Sequence, residues 1–485
     1  MSVTLVRHPL KSHAAPAVSP SLLQDCGLEA LLGQYLEAPV SCLTTDPEAL
    51  AERSGILRLL LAHPALLDAF RTLQTRLDEL KYVRQSANTD PMRILDSLRI
   101  FPEVCSAVRG VLQQLDGLPA GPLSEAAGAL RDCEARLFAA DYPAFFAARL
   151  PERPVAVSYR LHFDDEARLA SVTLTEAHGK RFQKAGLLGH DERDFLGQPI
   201  PLLPDDRNKY RDTLREQQVC KLSCDRLLAT HTAQGKRQAD IRAFQILQEL
   251  SPLHEQLAFF TGAASFVQAH MTGGYCFAEP APAEQGVFDA ADMYHPHLDR
   301  SAVRNSLRLD RNRGIALVGG ENRGGKTTFL RTAMAVQVLF QLGLPVPAAR
   351  ACLSPAEALY CVFDRDESRI LGQGKLGEEL TQMREALTAL NDRGFFVFNE
   401  PLTSTSPQEG IALSQEALCV AKLRGARGIW VTHFLSLFGS LDTLNETVSG
   451  SPVFPLRTAG GFGIVSGVPE RSDAARVFKA LAQPQ

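Results

Sequence analysis

The 485-residue sequence has no long apolar run. Its best apolar stretch, Ile56 to Leu67, is interrupted by Arg58 and His63 and is too short to cross a bilayer, so no membrane association is expected. It also has no charge surplus of the kind that draws nucleic acid. The formal net charge is -4, so contact with DNA would need a local basic patch. The ten cysteines form no dense framework, which points to a reducing, cytoplasmic setting. Cys220 and Cys224 lie one helical turn apart with His231 nearby. The second half of a metal-ligand set is missing, which favours burial as small apolar residues over a metal site. The first twenty residues are rich in Pro, Ala and Ser and lack the apolar core of a secretion signal. Residues 1–40 therefore read as a flexible segment. No internal repeat is apparent. What remains is an ordinary globular composition, 45% apolar and 22% charged, with length for two to four domains.

Residues 41–270 read as mainly helical. Ile56, Leu59, Leu60, Leu66 and Leu67 recur at helical spacing, as do Phe70, Leu73, Leu77 and Leu80. The pattern changes at 155–176, where two β-rich runs flank the polar Asp164-Asp165 and read as a hairpin. Helical pattern resumes from Arg207 to about His270. Ser251-Pro252 within it is either a kink or a fresh N-cap. Gly273, Gly274, Pro280 and Pro282 mark a boundary near 271. Residues 271–485 read as α/β: short apolar strands at Ile315–Val318, Phe395–Phe398 and Gly428–Val431 alternate with helices. That pattern implies a buried, mostly parallel sheet.

The richest segment is Gly320-Glu321-Asn322-Arg323-Gly324-Gly325-Lys326-Thr327. It fits G-x-x-x-x-G-K-[ST], the phosphate-binding P-loop, and sits between a strand and a helix, as that motif requires. The helix shows Leu330, Met334, Val338 and Leu342 on one face. Glycines let backbone N–H groups converge on phosphate oxygens, and the helix N-terminus adds positive potential. Gly320 to Thr328 are thus expected to hold the nucleotide phosphates. Lys326 would reach the β- and γ-phosphates, and the Thr327 hydroxyl would bind Mg²⁺.

The strand at Phe395–Phe398 ends in Asn399-Glu400. An acidic residue at such a strand end binds Mg²⁺, directly or through water, and a following Glu polarises the attacking water. Here only the second position keeps its carboxylate. A strand-end salt bridge is the competing reading for Glu400. His433 closes the next strand, where it would sense the γ-phosphate or simply be a satisfied histidine near the sheet edge.

Together these segments resemble the MutS family of DNA mismatch-repair ATPases. The family's G-P-N-M-G-G-K-[ST] is similar to residues 320–327. Its D-E-x-x-x-G-T-S-x-x-[DE]-G aligns without gaps on Asn399 to Gly410, with Asn399 and Ser404 departing. Its A-T-H-[YF] is similar to Val431-Thr432-His433-Phe434, its R-H-P to Tyr294-His295-Pro296, and its A-G-V-P to Ser466-Gly467-Val468-Pro469. The resemblance covers about residues 270–480. It implies a helical core and lever domain followed by an ABC-like P-loop NTPase domain that binds ATP and Mg²⁺. Thr327, Asn399 and Glu400 would hold the metal, partly through water, and Glu400 and His433 would serve hydrolysis.

The resemblance further implies a homodimer in which each site is completed in trans by the partner's segment around Gly374 and Glu379. The departures are pointed. The mismatch-reading N-terminal domain has no counterpart in the sequence, and Phe101-Pro102-Glu103 matches its F-x-E wedge only by chance. The DNA clamp is reduced to the hairpin at 155–176. The family's trans serine falls on Gly374, and its adenine-stacking aromatic falls on Ala302. Lys180 to Arg242 carries a surplus of four basic residues and is the best local candidate for DNA phosphate contacts, although a solvated helix face fits so mild an excess equally. Two readings stand: an ATP-switched, slowly hydrolysing DNA-binding protein acting on mismatched or structured DNA in repair or recombination, and an ATP-switched scaffold of the same fold that no longer binds DNA.

Overall fold

The computed structural model describes residues 3–11, 14–85, 91–118, 121–138, 156–163, 165, 169–178, 211–298, 302–321, 324–363 and 375–469. The chain divides into two compact units. The first comprises Met1–Leu5 and Ala65–Leu257, the second Val6–Pro64 and Ala258–Gln485.

The first unit is helical. Pro64–Gln85, Pro91–Asp116 and Ser124–Leu137 form its helices, together with the part of the 60-residue helix Arg211–His270 that precedes Ala258. Its core follows helical periodicity. Phe70, Leu73, Leu77 and Leu80 are all buried, and Ile246, Leu250, Leu253 and Leu257 repeat the spacing on the long helix. Ser251-Pro252 starts no new helix, because Pro252 lies inside Arg211–His270. Phe101 is buried and Pro102 is intrahelical, which removes Phe101-Pro102-Glu103 as an exposed wedge. The expected hairpin is present as two antiparallel strands, Ala156–Phe163 and Leu169–His178. For Cys220, Cys224 and His231 the helical backbone is described but not the side chains; of the basic stretch Lys180 to Arg242, residues 180–210 lie outside the described residues.

The second unit is α/β. In chain order its strands are β1 (Ala17–Val18), β2 (Glu279–Pro280), β3 (Phe288–Met293), β4 (Asn305–Leu309), β5 (Ile315–Gly319), β6 (Arg350–Leu353), β7 (Ala358–Phe363), β8 (Gly394–Asn399), β9 (Arg427–Val431), β10 (Val453–Ala459) and β11 (Gly463–Ser466). The main sheet has the order β1-β7-β8-β9-β5-β10-β11. It is parallel throughout except for β11, which pairs antiparallel with β10. A smaller mixed sheet has the order β2-β6-β3-β4. The three strands expected from short apolar runs are β5, β8 and β9. They pack into one aromatic and aliphatic core with Phe396, Phe398 and Trp430 fully buried.

Two features differ from the sequence reading. The 1–40 segment is built into the fold: β1 extends the main sheet beside β7, and the Cys361 amide donates to the Ser19 hydroxyl at 3.2 Å. The helix Pro47–Ala62, expected with the helical core, belongs to the second unit. It packs there through Arg53, only 1% exposed, whose guanidinium donates to the carbonyls of Cys42, Pro9 and Leu10. Three carbonyls offset the cost of burying that charge.

Gly343 fixes how closely the two chain segments approach. It has φ +80°, and a Cβ there would sit 2.6 Å from the Arg53 Cβ. We expect Gly343→Ala to lose about 2 kcal/mol of stability through combined strain and overlap. Fluorescence of Trp430, the single tryptophan and fully buried, reads the unfolding of this unit during chemical denaturation. An unchanged midpoint would mean that the turn relaxes freely.

Candidate nucleotide site

The site is built by strand register. Val431 on β9 pairs with Asn399 on β8 and with Val318 on β5. Because the three strands are parallel, the segments that leave them emerge at one edge of the sheet, where ligands bind in folds of this kind. The ladder continues past the strands: the Glu400 amide donates to the Val431 carbonyl at 3.0 Å, and the Thr432 amide to the Val318 carbonyl at 3.0 Å.

Gly320 and Gly325 take positive φ, 128° and 86°, so the turn out of β5 uses conformations that other residues rarely adopt. Gly325 is the N-cap of the helix Lys326–Gln341. Thr458 at the end of β10 backs the loop: its hydroxyl accepts from the Glu321 amide at 3.1 Å, and a Cβ on Gly320 would collide with it. No motif flagged Thr458. Its role follows only from the pairing of β10 with β5. Asn322 and Arg323 lie outside the described residues.

Lys326 is 5% exposed and aimed into the loop, with Nζ donating to the Gly320 carbonyl at 2.9 Å. It also lies 3.3 Å from Glu400 Oε1. His433 Nδ1 lies 3.7 Å from Glu400 Oε2. His433 and Lys326 together hold the Glu400 carboxyl below its ordinary value, against burial, which acts to raise it. Thr327 Oγ1 donates to Asn399 Oδ1 at 3.2 Å. Thr328 follows in the first helical turn. The structure thus gathers Lys326, Thr327, Asn399, Glu400 and His433 as the sequence grouped them. The salt-bridge reading of Glu400 and its place in the cluster are compatible, since the bridge runs to the P-loop lysine.

The segment after β8 is strained. Glu400 and Leu402 both have positive φ, 48° and 64°, each costing on the order of 1 kcal/mol. Packing around the next helix holds them. Ser406 caps Pro407–Leu423 by accepting from the Glu409 amide, while the Glu409 carboxylate accepts from the Thr405 and Ser406 hydroxyls. Gly410 allows the close approach, because a Cβ there would meet Phe434 at 2.7 Å and the Leu402 carbonyl at 2.8 Å.

Glu379 was expected, with Gly374, to complete the site of a partner. It is 9% exposed and accepts a hydrogen bond from Ser404 of its own chain, and its other oxygen has no hydrogen-bond partner among the described residues. Gly374 lies outside the described residues. Among the described residues no group of three or more His, Cys, Asp or Glu side chains could hold a metal ion. An oxygen pair such as Thr327 and Asn399 beside Glu400 suits a phosphate-bound Mg²⁺, which keeps most of its waters and takes few protein ligands. The buried Lys326 and the glycine cradle fit the phosphates of the same nucleotide.

The family model of MutS domain V matches residues 316–452, which contain this whole cluster. Among curated proteins, the chain is 31% identical over 219 residues to an Endonuclease MutS2 of Thermus thermophilus, covering 45% of this chain and 29% of that protein. It is 24% identical over 307 residues to an Endonuclease MutS2 of Ligilactobacillus salivarius, covering 61% and 37%. It is 22% identical over 286 residues to a DNA mismatch repair protein MutS of Staphylococcus carnosus, covering 57% and 31%. The alignments therefore reach less than two fifths of the length of these MutS relatives. Among the described residues no helix is long and apolar enough to cross a membrane.

The Glu400 contacts give a pH dependence of known sign. A carboxyl whose folded value is lowered adds stability above its ordinary value of 4.5, and that stability is lost as pH falls through the lowered one. The parent chain should therefore lose more stability between pH 5 and pH 3 than Glu400→Gln, as followed by the denaturation midpoint. Parallel pH profiles would show that His433 and Lys326 do not act on this carboxyl.

Proposed function

We propose that this protein is a MutS-like, ATP-dependent DNA-binding switch that works as a homodimer and hydrolyses ATP slowly. The observation that carries the reading is the meeting of Lys326, Thr327, Asn399, Glu400 and His433 beside the glycine loop. ATP with Mg²⁺ supplies a phosphoanhydride bond whose cleavage needs charge neutralisation and an oriented water. Lys326 and the loop amides hold the phosphates. Thr327 and Asn399 would hold the cation, partly through waters that donate to their oxygens. Glu400, kept ionised by His433 and Lys326, orients the attacking water, and His433 reports whether the γ-phosphate is present. In the dimer, the partner's segment around Gly374 and Glu379 completes each site, with nucleotide favouring the closed arrangement.

Names of the relatives, Endonuclease MutS2 and DNA mismatch repair protein MutS, support DNA as the partner and repair or recombination as the setting. The net charge of -4 favours a second reading, a scaffold that keeps the ATP switch without DNA. Salt-dependent retention on duplex and branched DNA, with and without ATP, separates the two. We expect retention that changes with ATP and falls steeply with salt. Lys326→Ala should abolish tight ATP binding in calorimetry and with it the effect of ATP on retention. ATP affinity equal to the parent's would end the P-loop reading.

Asn399 accounts for slow turnover. Its carbonyl serves a cation-bound water but lacks the charge of an aspartate, and a hard cation depends strongly on ligand charge. Asn399→Asp should lower the Mg²⁺ concentration needed for half-maximal hydrolysis. Coincident Mg²⁺ titrations would make Asn399 neutral and remove the reason for slow hydrolysis.

A further inference from the structure

Phe462 lies outside every motif that marks the site. The residue is 57% exposed and takes φ +68°, a conformation that glycine adopts freely and a bulky residue does not. Gly460, Gly461 and Gly463 surround it, and a Cβ on Gly460 or Gly461 would meet nothing within 4 Å. If this turn needed only to reverse the chain, a fourth glycine would serve with less strain.

The loop is also held in place from a distance. Asn305 at the start of β4 donates from Nδ2 to the Phe462 carbonyl at 3.3 Å and accepts at Oδ1 from the Ile464 amide at 2.7 Å. That clamp sets Phe462 against the phosphate loop: a Cβ on Gly325 would lie 3.2 Å from the Phe462 Cβ. Gly325 is the N-cap of the P-loop helix. An exposed aromatic ring is therefore fixed at the rim of the phosphate cradle. The charged groups gather elsewhere around it, on Lys326, Glu400 and His433.

We propose that Phe462 is the stacking platform for the base of the bound purine nucleotide, and that it recognises the base by its face alone. The inference rests on the nucleotide reading above and adds to it the residue that holds the base and the selectivity that follows. A ligand whose phosphates occupy the cradle and whose organic end passes Gly325 meets this ring. Stacking is tolerant of base identity, because every base has a π-face, and it favours the larger purines. The amide that clamps the loop, that of Asn305, is engaged at both ends by backbone, and the flanking residues are glycines without side-chain donors or acceptors. Nothing on this loop reads the edge of the base, so ATP and GTP are held alike. Ala302, where the family's stacking ring would fall, offers no ring of its own.

Calorimetry of the full chain with ATP, GTP, CTP and inorganic tripolyphosphate tests this, using the parent, Phe462→Ala and Phe462→Trp. The parent should bind ATP and GTP with similar affinity and CTP more weakly. Phe462→Ala should weaken ATP and GTP by about tenfold each and leave tripolyphosphate binding unchanged. Phe462→Trp should keep the affinity, and its fluorescence should be quenched by ATP but not by tripolyphosphate. The native Trp430 is fully buried and gives a constant background. Phe462→Ala binding ATP like the parent would overturn the proposal. So would an equal loss of tripolyphosphate, which would place the effect on the phosphates. Strong preference of the parent for ATP over GTP would overturn recognition by the face alone. A parent that binds no triphosphate at all would remove the nucleotide reading and the platform with it.

Discussion

The alignment of three parallel strands is the constraint on which the site depends. Val318, Val431 and Asn399 lie in one row across β5, β9 and β8. Residues far apart along the chain thereby leave the sheet side by side. A one-residue slip of β8 would turn Asn399 to the opposite face and move Glu400 away from Lys326. The burial of all five residues of β5 and of β9, Trp430 among them, with Phe396 and Phe398 in the same core, fixes that register. The geometry of the cluster is in this sense a consequence of core packing.

A second dependence runs through the P-loop helix. Most of Lys326–Gln341 is buried, including Ala335, Val336, Leu339 and Phe340 beside the expected stripe of Leu330, Met334 and Val338. The sheet covers part of that surface. The segment Val6–Pro64 covers more of it: Arg331 donates to the Asp25 carbonyl at 3.2 Å, and Thr44 and Gln341 pair through backbone at 3.0 Å. Gln337 and Gln341 carry buried amides that bond the Ser354 and Ala356 backbone, so the polar atoms enclosed by this packing are largely matched. A helix held on several sides keeps its N-terminus, and with it Lys326, in a fixed place.

Against this rigid frame stand the strained positions. Glu400, Leu402 and Phe462 all adopt positive φ, and all border the loop or the strand ends that serve it. Local strain of this kind persists only where neighbours over-determine the backbone. The supports are the Gly410 contact and the Ser406 cap on one side, and the Asn305 clamp on the other. Ser404, which stands where the family has glycine, adds a contact to Glu379 that glycine could not make.

The sequence by itself determined the P-loop, the three core strands, the strand-end Glu400 and His433, the helical stripes and the hairpin. Each of these is local: a spacing of glycines, a period of apolar residues or a short motif is legible without knowing what lies across from it. The tertiary structure alone decided that 6–64 joins the second unit, that Thr458 backs the loop, that Glu379 is turned onto Ser404, and that Phe462 stands at the rim of the cradle. Those facts rest on pairings between distant segments, such as β1 with β7 and β10 with β5, whose partners leave no mark in the local pattern. A proline- and alanine-rich segment reads as a tail until a sheet edge accepts it, and an aromatic among glycines reads as a turn until Asn305 holds it beside the phosphate loop.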